Sequence, residues 1–249
     1  MESTIPTALP ANVRRVLDEF VATTRAAFGD DLRAVVLYGS AAEGKLRATS
    51  DVNLLLVLST FDRAKADQLR EPLRIAHAAI RLTVMFLLEA EVPAAMQAFA
   101  VKFADITRRR VVLYGADPFA GRAISRSASI IRLKQTLLNL TLRWREAYVA
   151  RSLREEQINT TLADAVGPLR ACAVTLLELE GQPAKSPKEA LEQMAASLAT
   201  ANKARWADAL ASLSQVRQAG TLPPGAAGPI LFELMELAEA MRARVETLA

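Results

Sequence analysis

The chain has 249 residues, of which 51% are hydrophobic and 23% are charged, a composition typical of a folded globular protein and not of a disordered one. Its apolar runs are shorter than the roughly 20 residues of a membrane helix, and its single cysteine, Cys172, excludes an internal disulfide bond. The stretch MESTIPTALPAN has neither a basic start nor an apolar core. We therefore expect no secretory signal, no membrane contact and a cytoplasmic location.

The positive charge is concentrated in one part of the chain. The net charge is +4 and the isoelectric point is about 9.4. Residues 108–156 carry eleven Lys or Arg against four Asp or Glu, a local charge of +7. Such a basic band is typical of a solvated helix face, but it also attracts ligands that carry phosphate.

The first half of the chain alternates between helical and strand patterns. Apolar residues recur at helical spacing or in short continuous runs, and the run after residue 52 is too uniformly apolar to have a solvated face. These patterns predict an α/β (α+β) fold, with a mixed sheet covered by helices. The predicted helices are 12–28, 62–79 and 92–106, and the predicted strands are 32–38, 52–58, 82–88 and 110–114.

The second half contains helical patterns only. GADPFAG, residues 115–121, is the predicted hinge, with one domain over 1–116 and a helical bundle domain over 117–249. The helix predicted at 124–149 has two apolar stripes, which favours a central position in the bundle. Helices are also predicted at 156–179, at 203–219, at 229–248 and after Ser186, which begins a capping box. Pro168 is expected to kink or restart its helix.

One motif carries most of the functional information. The strand at 32–38 ends in Gly39 and Ser40, and a loop of about ten residues leads to Ser50, Asp51, Val52 and Asn53, where the next strand begins. Side chains at positions i and i+2 of a strand point to the same side. Asp51 and Asn53 should therefore project together toward the Gly-Ser turn.

This arrangement resembles the nucleotidyltransferase superfamily, the polymerase-beta-like fold. The resemblance extends, more loosely, over the whole chain to two-domain bacterial proteins similar to the streptomycin/spectinomycin adenylyltransferases. These proteins also have a sequence similar to RVVLYGADPF after the sheet. It implies a nucleotidyltransferase-type mixed sheet followed by an all-helical domain. It also implies ATP or another nucleoside triphosphate as a ligand, with Mg²⁺ as the metal.

The residues of the motif suit phosphate binding. Gly39 lets the backbone approach a phosphate closely, and Ser40 offers a hydroxyl and an amide at the start of a helical turn. Lys45 on the following loop is positioned to reach a triphosphate, and Ser50 precedes the second strand. We predict Gly39, Ser40, Lys45 and Ser50 as nucleotide-binding residues.

The expected metal site departs from the family pattern. By resemblance, Asp51 and Asn53 occupy the two metal positions and Asp51 is the catalytic carboxylate. The second position is an amide, which is a weaker ligand for a hard cation. The predicted strand 82–88 carries no acid at all, and Arg81 falls where the adenylyltransferases have a glutamate. Glu89 and Glu91 lie just beyond that strand.

Two functions follow. The first is a protein with a decayed carboxylate triad that binds a nucleotide or phosphorylated small molecule without efficient transfer. The second is an active Mg²⁺-dependent adenylyltransferase on a small acceptor, with Glu89 or Glu91 as the base. Nucleic acid is not the expected partner, and a homodimer is left open.

The remaining residues that could take part in catalysis or binding are expected to have structural roles. His77 lies in a predicted helix and is expected at the surface or in packing. Core packing is also expected for Trp144, Tyr148 and Trp206, although aromatic rings of this kind stack on bases as well. The helical half has no histidine, which excludes the Arg-His RNA cleavage found in some helical toxin-like domains.

Overall fold

The computed structural model describes residues 5–47, 50–198, 203–219 and 222–248. In chain order the elements are α1 (Ala11–Phe28), β1 (Leu32–Tyr38), β2 (Val52–Leu58), α2 (Arg63–Gln68), α3 (Arg70–Ile80), β3 (Leu82–Leu88), α4 (Val92–Ala98), α5 (Ala100–Arg108), β4 (Arg110–Gly115), α6 (Arg126–Arg151), α7 (Glu155–Leu179), α8 (Pro187–Leu198), α9 (Lys203–Ala219) and α10 (Ala227–Glu246). The predicted fold class, a mixed sheet with helices and then helices alone, is confirmed.

The four strands form one sheet in the order β3-β2-β1-β4. The β1 strand pairs antiparallel with both β2 and β4, whereas β2 and β3 run parallel. The β2 strand is buried along its whole length except at Asn53, as its uniformly apolar sequence predicts. Because β2 and β3 are parallel, their amino-terminal ends meet at one edge of the sheet.

The described chain divides into two compact units. One contains the residues up to Gln97 together with 103–123, and the other contains 98–102 together with the residues from Ile124 onward. Each unit has its own hydrophobic core. The domain boundary at residues 116 and 117 stays a prediction. No helix in the described ranges is both long and apolar enough to span a membrane.

Two helices predicted as continuous are broken. The helix predicted at 62–79 divides at Leu69 because Pro72 lies in the first turn of α3, where it has no N–H to donate and its ring crowds the carbonyl four residues earlier. The helix predicted at 92–106 divides at Phe99, where neither Gly nor Pro marks the break. By contrast, α7 continues through Pro168 without a restart, and a kink there stays a prediction.

The position of α6 in its bundle differs from the prediction. One of its two apolar stripes is buried, with Leu133 and Leu137 fully enclosed. The other stripe is exposed to solvent, since Ile131, Leu138 and Leu142 are 60%, 44% and 50% accessible. The helix that is buried on several sides is α7, with twelve buried residues. The two-stripe pattern of α6 therefore did not indicate a central helix.

Candidate functional site

The turn after β1 has a backbone suited to an anion. Gly39 adopts a positive φ of 77°, a conformation that favours glycine. The Glu43 amide donates to the Gly39 carbonyl at 3.3 Å, and the Lys45 amide donates to the Ser40 carbonyl at 2.8 Å, so the chain makes a helical turn. Within the described ranges, the amides of residues 40–42 and the Ser40 hydroxyl have no hydrogen-bond partner.

One expected donor of this turn is already occupied. The Gly39 amide donates to the carbonyl of Arg109 at 2.9 Å, so it is not available to a phosphate. Gly39 contributes through its backbone conformation and its missing side chain. A Cβ there would meet the Asn53 amide nitrogen at 3.8 Å, which places the turn directly beside Asn53.

Arg109 connects this turn to α5. Its guanidinium donates to both carboxylate oxygens of Asp105 and, at 3.2 Å, to Glu43 within the turn. Burial raises the pKa of the neighbouring Tyr38 to about 12, and the charge of Asp105 contributes to the same shift. The Tyr38 hydroxyl therefore stays protonated at neutral pH. Sequence reasoning did not predict that Arg109 joins Asp105 to Glu43, because the run of arginines at 108–110 was interpreted only as part of a basic band.

Asp51, just before β2, and Asn53 within it are bonded by Arg81, just before β3, and by Thr83 within it. The Arg81 Nε donates to Asp51 Oδ1 at 2.8 Å, and the Thr83 hydroxyl donates to Asn53 Oδ1 at 2.8 Å. In the parallel register Asn53 lies opposite Thr83. The side chain beside Asn53 on the adjacent strand is thus the hydroxyl of Thr83, and the side chain that faces Asp51 is the cationic Arg81.

Arg81 is held in an unusual backbone conformation. It follows α3 with φ 54° and ψ 39°, and no other non-glycine residue in the described part of the chain has a positive φ. This left-handed position normally suits glycine, and an L-residue there costs about 1 kcal/mol or more. Its guanidinium nevertheless points to Asp51, with both side chains about half exposed. We interpret this strained position as one that functions through its side chain.

The donors present do not fit a two-Mg²⁺ centre. Two such ions need several carboxylate oxygens in one place. The Asp51 carboxylate is paired with Arg81, and the Asn53 amide oxygen accepts from Thr83. Over the described residues, no group of three or more Asp, Glu, His or Cys side chains is arranged to hold a metal.

The idea that Glu89 or Glu91 acts as the base is wrong. Both follow the carboxyl end of β3, whereas Asp51 pairs with Arg81 at its amino end. Seven strand residues separate these ends by roughly 20 Å. Glu91 accepts from the Leu88 amide at 2.9 Å, and Glu89 lies 3.4 Å from Arg33.

The other predicted ligand residues lie on the loop that joins the two strands. The Lys45 ammonium is exposed and 3.6 Å from Glu43. Ser50 is half-buried, and its amide donates to the Arg47 carbonyl at 3.0 Å. Their part in nucleotide binding stays a prediction.

The remaining candidate residues have structural roles. Trp144 and Trp206 are buried, which confirms their assignment to the core. Tyr148 packs edge-to-face against Phe232, with ring centroids 4.8 Å apart. The His77 ring bonds the Leu82 carbonyl at 3.0 Å.

Similarity to a solved structure covers nearly the whole chain. A crystal structure of spectinomycin adenyltransferase AAD(9) from Enterococcus faecialis, with ATP and spectinomycin, matches 93% of this chain and 98% of its own, with a TM-score of 0.64 and 12% sequence identity. At that identity the likeness shows the fold. The predicted resemblance to two-domain spectinomycin adenylyltransferases is therefore confirmed as a fold.

Sequence similarity to curated proteins is local. A relative named "Putative protein adenylyltransferase MJ1305", from Methanocaldococcus jannaschii, is 36% identical over 56 residues, which are 22% of this chain and 38% of that protein. No protein-family model matches the chain. Both similarities are to proteins named as adenylyltransferases.

Proposed function

We propose that this protein binds a nucleotide or another phosphorylated small molecule at the β1 turn and does not perform efficient two-metal nucleotidyl transfer. The observation that carries the proposal is the ion pair of Asp51 with Arg81. The ion pair supports the proposal because the carboxylate that would hold a metal ion in a transferase has a guanidinium as its partner. ATP is the first ligand to test, because the structural neighbour contains it.

The charges around the turn favour phosphate without a metal. Arg81 and Lys45 are both exposed enough to reach a ligand. An exposed ion pair contributes at most about 1 kcal/mol, so a triphosphate can replace Asp51 as the partner of Arg81. Arginine binds phosphate oxygens in a bidentate manner, and the amides of residues 40–42 offer further donors.

The second candidate is an active Mg²⁺-dependent adenylyltransferase acting on a small acceptor. The similarity to an adenyltransferase over nearly the whole chain favours it. Asp51 would then have to leave Arg81 and hold a metal that arrives with ATP. The transfer would also proceed without a second carboxylate, at a cost of about 10²–10⁴-fold in rate if the base is the missing group.

The substitution Asp51→Asn separates the two functions by the sign of its effect. In the binding protein it frees Arg81 and removes a negative charge, so ATP affinity rises by a few-fold in calorimetry. In the enzyme it removes the metal ligand, so ATP affinity in Mg²⁺ falls and pyrophosphate release stops. A matched control is Asp62→Asn, which removes an exposed carboxylate that caps α2. Mg²⁺-dependent pyrophosphate release by the wild type would overturn the proposal.

A further inference from the structure

The α6 helix presents an apolar face that nothing in the described chain covers. Of the nine large hydrophobic side chains that are exposed in the described residues, five lie between positions 131 and 153. Four of these are on α6 itself: Ile131, Leu138, Leu142 and Val149. Isolated exposed apolar residues are ordinary, but a continuous patch of them marks an interaction surface.

The exposed residues follow the spacing of a coiled-coil seam. Together with two polar positions they repeat at intervals of four and three residues, the heptad pattern that keeps one stripe of a helix facing a partner. The α6 seam consists of Ile131, Gln135, Leu138, Leu142, Arg145 and Val149.

The α6 seam is symmetric about residue 140. Its two inner positions are both leucine, its two outer positions are both β-branched aliphatic residues, and its two polar positions, Gln135 and Arg145, lie at equal distances from the centre. When two such helices pair antiparallel about a two-fold axis at residue 140, every apolar residue meets an apolar residue. Gln135 of one copy then meets Arg145 of the other.

A parallel pairing of the same seam is less favourable. It would place Arg145 directly against Arg145 of the other copy, so that neither guanidinium meets a hydrogen-bond acceptor of the partner helix. In the antiparallel pairing each arginine faces the Gln135 amide, whose oxygen accepts from Arg132 within its own chain at 2.8 Å and has a second lone pair for the partner.

The charges beside the α6 seam also permit self-association. Lys134 beside the seam pairs with Glu246 at 2.6 Å, and Arg145 within the seam pairs with Glu239 at 2.5 Å, so each of these cations has a carboxylate partner in its own chain. On the other flank lie Arg132, which donates to Gln135 at 2.8 Å, and Glu146, a carboxylate with no partner among the described residues. The antiparallel pairing brings Glu146 to the side chain of Gln135 in the second copy.

We propose that the protein forms a two-fold symmetric homodimer in which the α6 seams of two copies pair antiparallel about residue 140. This interface is independent of the proposed nucleotide site, since it uses none of the residues at the β1 turn. The occupant of the exposed face is thus a second copy of this chain.

Sedimentation velocity over a range of concentrations tests the association. We expect the wild type to be a dimer at micromolar concentration. The double variant Leu138→Glu/Leu142→Glu should weaken the dimer by about 100-fold or more, because it places four carboxylates at the centre of the interface. Both side chains are exposed, so the fold should persist by circular dichroism. The control Ile75→Glu replaces another exposed aliphatic residue, on α3, and should leave the dimer intact.

Cysteine cross-linking tests the register. In the antiparallel pairing Leu138 faces Leu142 of the other copy, so a mixture of Leu138→Cys and Leu142→Cys proteins should form a disulfide, and each variant alone should not. The natural Cys172 is buried and does not interfere. A wild type that stays monomeric, a dimer that survives the double variant, or a disulfide formed by a single variant alone would overturn the proposal.

Discussion

Two neighbouring parts of the first unit carry different chemistry. The turn after β1 has a glycine at positive φ and three amides without a partner among the described residues. The adjoining starts of β2 and β3 carry the Asn53 amide bonded to the Thr83 hydroxyl and the Asp51 carboxylate paired with Arg81. Phosphate binding through backbone amides needs only a backbone conformation that directs the N–H groups toward the ligand. Two-metal catalysis needs several charged side chains in one place.

The largest expected effect comes from breaking the turn. Gly39→Val places a β-branched residue at a φ of 77°, a conformation that costs an L-residue about 1–2 kcal/mol. The turn should shift and lose its three aligned amides, each contributing about 1 kcal/mol, so ATP affinity should fall by about 100-fold. Isothermal titration calorimetry measures the loss.

The control for this substitution is Gly121→Val. Gly121 also has a positive φ, of 68°, with open space around its Cβ position. It carries the same backbone strain away from the turn. Equal losses of ATP affinity in both variants would show that the β1 turn has no special role.

The next largest effect is expected from the guanidinium of Arg81, which precedes β3. Arg81→Gly removes the guanidinium and also relieves the left-handed strain at this position. The thermal midpoint should stay the same or rise, while ATP affinity falls by about 10- to 100-fold, since hydrogen bonds to charged groups contribute about 1.5–3 kcal/mol. Arg33→Ala, at an exposed ion pair with Glu89, is the control. Unchanged ATP affinity in Arg81→Gly would remove Arg81 from the site.

A smaller effect is expected from the hydroxyl of the turn. Ser40→Ala removes one donor to phosphate and should weaken ATP binding by about tenfold. The fold should not change, because the Ser40 hydroxyl contacts no described polar group. Ser59→Ala removes a hydroxyl that bonds Asp31 and should leave ATP affinity unaltered. A thermal-shift titration of the three proteins provides the comparison.

The smallest effect concerns stability in acid. The hydrogen bonds from Arg110 lower the pKa of Asp117 below its usual 3.8. Because the folded-state pKa is depressed, the stabilisation is complete above the unfolded value and is lost as the pH falls through the folded value. Between pH 7 and pH 3, Asp117→Asn should therefore lose less stability than the wild type in urea unfolding. Parallel pH profiles for the two proteins would contradict this.

The sequence predicted the sheet closely and the helices less so. All four strands begin at the residues predicted for them, and the apolar runs of β1 and β2 are almost fully buried. The break at Leu69 follows from Pro72, whereas the break at Phe99 has no local signal. The exposed stripe of α6 could not be distinguished from a buried one, since helical periodicity shows which residues share a face and not what covers that face.

For the candidate site, the sequence indicated which residues to consider but not all of their contacts. Gly39, Asp51 and Asn53 stand out because their types and spacing are local to one motif. The ion pair of Asp51 with Arg81 and the clamp of Arg109 on Glu43 join residues 30 and 66 positions apart. Such contacts depend on strand register, which a single sequence does not specify.

The most direct test is the affinity of the wild-type protein for ATP in EDTA and in millimolar Mg²⁺, measured by calorimetry. If Arg81 and the turn amides bind the phosphates, the two dissociation constants should agree within about threefold, and no pyrophosphate should appear in either condition. Binding that is tenfold or more tighter in Mg²⁺ than in EDTA, together with pyrophosphate release, would contradict the account and identify a working metal centre.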